Sequence, residues 1–92
     1  MTTTDAKGTA QLKLDELVAA ITAPGGGSTP DFLEECDSLK RAIAAFHLEA
    51  IRFRMFNVDR MLARTQAPPT ARHIFEEVRA ALEAAGFHTR SH

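Results

Sequence analysis

Apolar residues recur at helical spacing along three stretches of this chain. In the first, Leu14, Leu17, Val18 and Ile21 follow an i, i+3, i+4, i+7 pattern while Lys13, Asp15 and Glu16 face away, which predicts a helix over about 9–23. Thr9 is placed to cap it. Pro24 and the glycines of APGGGSTP end it, because Pro24 cannot extend the hydrogen-bond ladder and Gly readily takes positive φ. The second stretch, Pro30 to Gln66, contains neither a Gly nor an internal Pro. Ser28 or Thr29 can cap its start, Pro30 suits a first turn, and Asp31, Glu34 and Glu35 complement the positive end of the helix dipole. Arg60 and Arg64 meet the negative end. The spacing therefore predicts one long helix, or two nearly collinear ones, over about 30–65.

The third pattern, Ile74, Phe75, Val78, Leu82 and Ala85, predicts a helix over about 70–85, with Thr70 as its cap after Pro68 and Pro69. Gly86 stands where a left-handed residue closes a helix, with Phe87 positioned to touch Leu82. Residues 1–8 read as a flexible terminus and 88–92 as a flexible tail around one helical domain, 9–87. The expected fold is all-α: a short-long-short three-helix chain with a long central helix.

Two apolar stripes share that central segment. Phe32, Cys36, Leu39, Ile43, Phe46, Ala50 and Phe53 form one, and Ala44, Leu48, Ile51, Met55, Val58 and Leu62 form another, well around from the first. Between about residues 43 and 58 the apolar arc is therefore wider than one neighbouring helix can cover, and either the chain kinks there or the segment contacts two things. A helix of this length spans roughly 50 Å and its two neighbours roughly 20 Å each, so they cover one side only. Apolar surface around Phe46, Ile51, Phe53 and Met55 would then stay exposed, which implies a helical bundle completed by dimerisation. His47 and Arg54 sit seven apart within the apolar arc, where a guanidinium needs a carboxylate; Glu34, Glu35 or Asp37 of a second, antiparallel chain is the expected partner. The expected interface comprises Phe46, Ile51, Phe53, Met55, Val58, His47 and Arg54.

Composition sharpens this picture in a few places. Ninety-two residues bound the chain to one domain, and a core this small is marginal alone. One Cys excludes an intramolecular disulfide and fits a reducing compartment. The opening MTTTDAKGTA lacks a secretory pattern, and no apolar run approaches a membrane span, so a cytoplasmic setting without membrane contact is expected. The net charge of −1 hides an asymmetry: residues 1–37 carry two lysines against seven acids, and residues 38–92 carry nine basic residues against five acids. Acidic and basic parts of neighbouring chains can meet in such a dimer.

Candidate chemistry is sparse. The six residues APGGGS resemble the opening of formiminotransferase-cyclodeaminase enzymes, but the helix of small residues that family would need next is absent. No P-loop Gly-Lys-Ser/Thr follows, so PGGGS reads as a flexible linker. Cys36 and His47 would lie about 16 Å apart along one helix, too far to share a metal, and both read as buried core residues. No catalytic set, cofactor or metal site is expected. Arg41, Arg52, Arg54, Arg60, Arg64 and Arg72, interleaved with Phe46, Phe53 and Phe56, define a basic segment over 40–72 that could contact nucleic acid. A solvated charged face is the favoured reading. The expected function is a small protein–protein interaction module, a regulator, adaptor or assembly subunit acting as a homodimer; the alternative is a nucleic-acid-binding regulator.

Overall fold

The computed structural model describes residues 6–65 and 67–87, which form four α-helices. α1 runs Ala6–Thr22, α2 Pro30–Ala44, α3 Leu48–Arg64 and α4 Pro69–Ala84. The all-α class stands, but the short-long-short layout does not. Where one long helix, or two nearly collinear ones, was expected, two helices of 15 and 17 residues fold back on each other. The reversal takes three residues, Ala45 to His47. Phe46 holds φ at +55°, and among the described residues every other positive φ belongs to glycine. Its N–H donates to Ile43 O at 3.1 Å, and the His47 N–H donates to Ala42 O at 3.1 Å. These two bonds close a helix in the Schellman manner, with Phe46 in the position usually held by glycine.

The burial pattern explains why the chain turns here. α2 buries Phe32, Cys36, Leu39 and Ile43, while α3 buries Ile51, Met55, Val58 and Leu62. On a straight helix these two sets would point about 100° apart. Folding back lets both enter one core. They belong to different stripes, the first half of one and the second half of the other.

α2 and α3 form an antiparallel hairpin, and α1 packs antiparallel against both α2 and α4. Ala6 and Thr9 of α1 lie beside Ala84 and Ala81 of α4, small residues that let the two backbones approach. α3 and α4 touch only lightly. Leu14, Leu17, Ile21, Phe32, Leu39, Ile43, Ile51, Met55, Val58, Phe75, Val78 and Leu82 are all less than 2% exposed and form one cluster. No buried side-chain nitrogen or oxygen among the described residues lacks a hydrogen-bond partner. The radius of gyration is 12.4 Å, against about 12 Å for a compact chain of this length. The core is thus closed within one chain, and the bundle is not one that a second copy must complete.

Local signals explain most helix ends. The Thr29 hydroxyl accepts from Phe32 N–H at 3.1 Å, with Pro30 opening α2. α4 starts earlier than expected, with Pro68 as its cap residue and Pro69 in the first turn, so Thr70 lies inside it. Its far end follows expectation: Gly86 has φ +96°, its N–H reaches Glu83 O, and the Phe87 N–H reaches Leu82 O at 2.8 Å. α1 begins at Ala6 rather than Thr9; the rest of the expected loose terminus, 1–5, and the tail, 88–92, lie outside the described residues.

The PGGGS loop is a specific shape rather than a generic linker. A side chain on Gly26 would collide with the carbonyls of Ala20 and Ile21, and Gly27, at φ +79°, sits against Thr65 O. Ser28 N–H returns to Ile21 O at 3.0 Å, tying the loop to the end of α1.

Candidate interaction surface

The seven residues expected at an interface divide into three groups. Ile51, Met55 and Val58 lie in the chain's own core, so they offer nothing to a partner while the chain is folded. Arg54 has its carboxylate, from the same chain: Nη1 donates to Glu35 Oε1 at 3.2 Å and Oε2 at 3.0 Å, and Asn57 Nδ2 donates to Oε2 at 3.1 Å. Glu35 is one of the three acids expected, but it belongs to the same chain, because the hairpin brings α2 alongside α3. Phe46, Phe53 and His47 remain outside. Phe46 and Phe53 are 61% and 57% exposed, and His47 caps α3 with its backbone only. His47 is therefore a surface residue, contrary to its expected burial.

Two aromatic environments follow. Phe46, at the hairpin turn, stacks tilted against Phe87 at 5.9 Å between ring centroids, with Lys7 Nζ 4.1 Å above its ring. Phe53 and Phe56 project from α3, the latter 52% exposed. Arg54 lies over the Phe53 ring at 5.1 Å, and Arg60 over the Phe56 ring at 5.6 Å. Phe56 was absent from the expected interface, although its place in the RFRMF run was the available signal.

The six arginines of the basic segment also separate. Arg41 pairs with Asp37, Arg54 with Glu35, and Arg72 with Asp59 at 2.6 Å. Arg52, Arg60 and Arg64 make no ion pair among the described residues, and neither do Asp31, Glu34 and Glu49. At 100° per residue, Phe53, Arg60 and Arg64 share the outward side of α3, with Glu49 near its start. Glu34 and Arg41 lie on the outward side of α2, and Asp31 lies at its edge toward α3. Between the helices runs an open cleft lined by Asp31, Glu34, Glu35, Ser38, Arg54 and Met61. Asp31 and Arg64 line a second one at the open end of the hairpin.

The remaining candidates carry little chemistry. Cys36 is buried, and that burial, followed by the nearby Glu35 carboxylate, pushes its thiol up to about 12. A thiol so held is protonated at neutral pH and is neither nucleophile nor ready metal ligand. No group of three or more His, Cys, Asp and Glu side chains among the described residues could hold a metal ion. Among the described residues, no helix is long and apolar enough to cross a membrane.

Fold and surface together define a small all-α domain of four helices whose unbalanced charge and exposed aromatics concentrate on the α2–α3 hairpin. Comparison with protein-family models, with curated proteins and with solved structures gives no match.

Proposed function

We propose that this chain is a small helical interaction module, a regulator, adaptor or assembly subunit that acts by contact rather than catalysis and pairs as a homodimer of folded units. The observation that carries this reading is the outer surface of α3, where Phe53 and Phe56 stand more than half exposed on a regular helix beside Arg52, Arg60 and Arg64, which make no ion pair among the described residues. Aromatic and Arg side chains are the residues most enriched where protein interfaces hold their binding energy. Their position on a helix, rather than a loop, means that little ordering is lost on binding. A reducing compartment suits a chain whose one cysteine is buried and has no second cysteine to pair with.

Light scattering coupled to size exclusion at micromolar concentration tests the reading, alongside Phe53→Ser/Phe56→Ser. Twice the chain mass for the wild type, and the single-chain mass with an unchanged helical signal for the variant, is the expected result. A wild type that stays at single-chain mass up to about 100 μM, far above the Kd of an interface of ordinary size, speaks against it.

One arrangement favours the alternative enough to test it: Arg52, Arg60 and Arg64 beside two exposed rings also suit a nucleic-acid strand. Asp31, Glu34 and Glu35 across the cleft would repel phosphates, so we rank it second. Gel shift with mixed DNA and RNA at low salt decides the matter, since phosphate contacts must weaken steeply as salt rises.

A further inference from the structure

We propose that the outward side of the α2–α3 hairpin is self-complementary, and that the partner seated on it is a second copy of this chain related by a two-fold axis parallel to the hairpin. This rests on the homodimer reading above and adds which surfaces meet.

The charges on the two helices carry the argument. From the open end of the hairpin toward its turn, α2 presents Asp31, Glu34 and then Arg41. Over the same course α3, running the other way, presents Arg64, Arg60 and then Glu49. The two series are opposite in sign at each step and reverse together. Asp31 and Arg64 stand at one level, since both line the cleft at the open end with Thr29, Met61 and Thr65. From there each helix moves about one turn to its next charge, Glu34 on α2 and Arg60 on α3.

Within the chain these charges are not spent on each other. The tie between the helices is the Glu35–Arg54 pair in the cleft, while Asp31, Glu34, Glu49, Arg60 and Arg64 lack ion pairs among the described residues. Arg41 pairs only with Asp37 on its own helix, with its side chain 79% exposed. A two-fold axis along the hairpin lays α2 of the second copy over α3 of the first at the same height. Asp31 then faces the other copy's Arg64 and Glu34 faces Arg60, while Arg41, about 15 Å along α2, reaches toward Glu49, about 22 Å along α3. Each pair occurs twice, as an isologous contact requires. Phe53, on the α3 ridge between Glu49 and Arg60, supplies the apolar surface at the middle of the contact. Asp31 and Glu34 line the cleft beside these arginines, so a nucleic-acid strand following the arginines would meet carboxylates.

A charge-swap mixture tests the inference. Arg60→Glu/Arg64→Glu and Asp31→Lys/Glu34→Lys are prepared separately, each checked for unchanged helical signal, and their self-association is measured by sedimentation equilibrium. Each alone sets like charges against each other at both contacts, and its dimer dissociation constant should rise at least about tenfold. Mixed one to one, the two form a heterodimer in which every facing pair is again opposite in sign. Its dissociation constant should return to within about threefold of the wild type. The milder Asp31→Asn/Glu34→Gln, which keeps side-chain size, serves if the lysine variant fails to fold and should weaken the dimer by a smaller factor.

A mixture that stays monomeric, or either swap variant dimerising as the wild type does, overturns the proposal. A dimer lost in Phe53→Ser/Phe56→Ser yet indifferent to the swaps overturns this pairing alone and leaves the homodimer reading standing. A monomeric wild type overturns both. Arginine variants that lose DNA or RNA binding, from a wild type that never dimerises, transfer the surface to the alternative.

Discussion

Phe46 holds a backbone conformation in which its Cβ crowds the neighbouring carbonyl, at a cost of about 1–2 kcal/mol for an L-residue. The ring's contacts with Phe87 and Lys7 offset part of that cost. Alanine at 46 removes the ring and keeps the strain, whereas glycine removes both. Phe46→Gly should therefore be more stable than Phe46→Ala by about 1 kcal/mol in urea unfolding, reversing the order usual for the two residues within helices. Equal stabilities would show the turn to be unstrained. Gly86, at φ +96° with open space around it, gives the mirror experiment: a Cβ there meets nothing beyond its own chain neighbours, so the loss of about 1 kcal/mol in Gly86→Ala should come from the backbone conformation alone. Cys36 makes a prediction about pH. Its folded-state value is raised to about 12 from the ordinary 9.0, chiefly by burial. Above about pH 9 the unfolded chain sheds the thiol proton while the folded chain keeps it, so unfolding becomes easier as pH rises toward 12. Lys13, raised by Glu16 and Glu77, acts in the same direction. Stability should fall along this alkaline limb, and Cys36→Ala should flatten it without abolishing it. At pH 8 the native thiol should resist a disulfide reagent that labels the unfolded chain at once.

At the scale of elements, the α2–α3 hairpin shows what was legible in the residue pattern and what was not. α1 and α4 were readable because their stripes, stops and the Gly86–Phe87 closure agree with one another. The break at Ala45–His47 was hidden, since a phenylalanine does there what glycine or proline would have announced. One trace of it was present. The two apolar stripes of 30–65 are not a wide arc; the pattern changes phase after Ile43, and a phase change without a breaker is the mark of a concealed turn. Burial of Ile51, Met55 and Val58 and the same-chain partner of Arg54 both follow from that turn, so missing it displaced most of the expected interface at once. Three substitutions probe the hairpin. Arg54→Met leaves the Glu35 carboxylate, whose side chain is 12% exposed, with Asn57 alone. It should cost about 1–3 kcal/mol, reduced from the fully buried case because Arg54 itself is 35% exposed. Glu35→Gln should cost less, as an amide can still accept from Arg54. His47 begins α3 without a side-chain cap, so His47→Asp should add about 0.5–1 kcal/mol by supplying one. Equilibrium unfolding measures all three.

For the whole molecule, the decisive feature is that four helices bury their apolar faces on one another without help. Had 30–65 been a single helix, dilution would unfold the chain, because separating two copies would open the core. With twelve large side chains less than 2% exposed in one chain, separation and unfolding are different events. Any pairing through the hairpin surface then adds to stability only by mass action, RT ln(1 + [L]/Kd), which vanishes as concentration falls below Kd. Circular dichroism should therefore keep its helical intensity on dilution from about 100 μM to well below 1 μM, a range that empties a micromolar dimer. Over the same range sedimentation should show the mass halving, and the urea midpoint should settle at a lower constant value rather than fall without limit. Helical signal lost in step with mass would mean that the folded unit is the pair and not the chain. What the enclosed core demands is that the helical signal outlast any loss of mass.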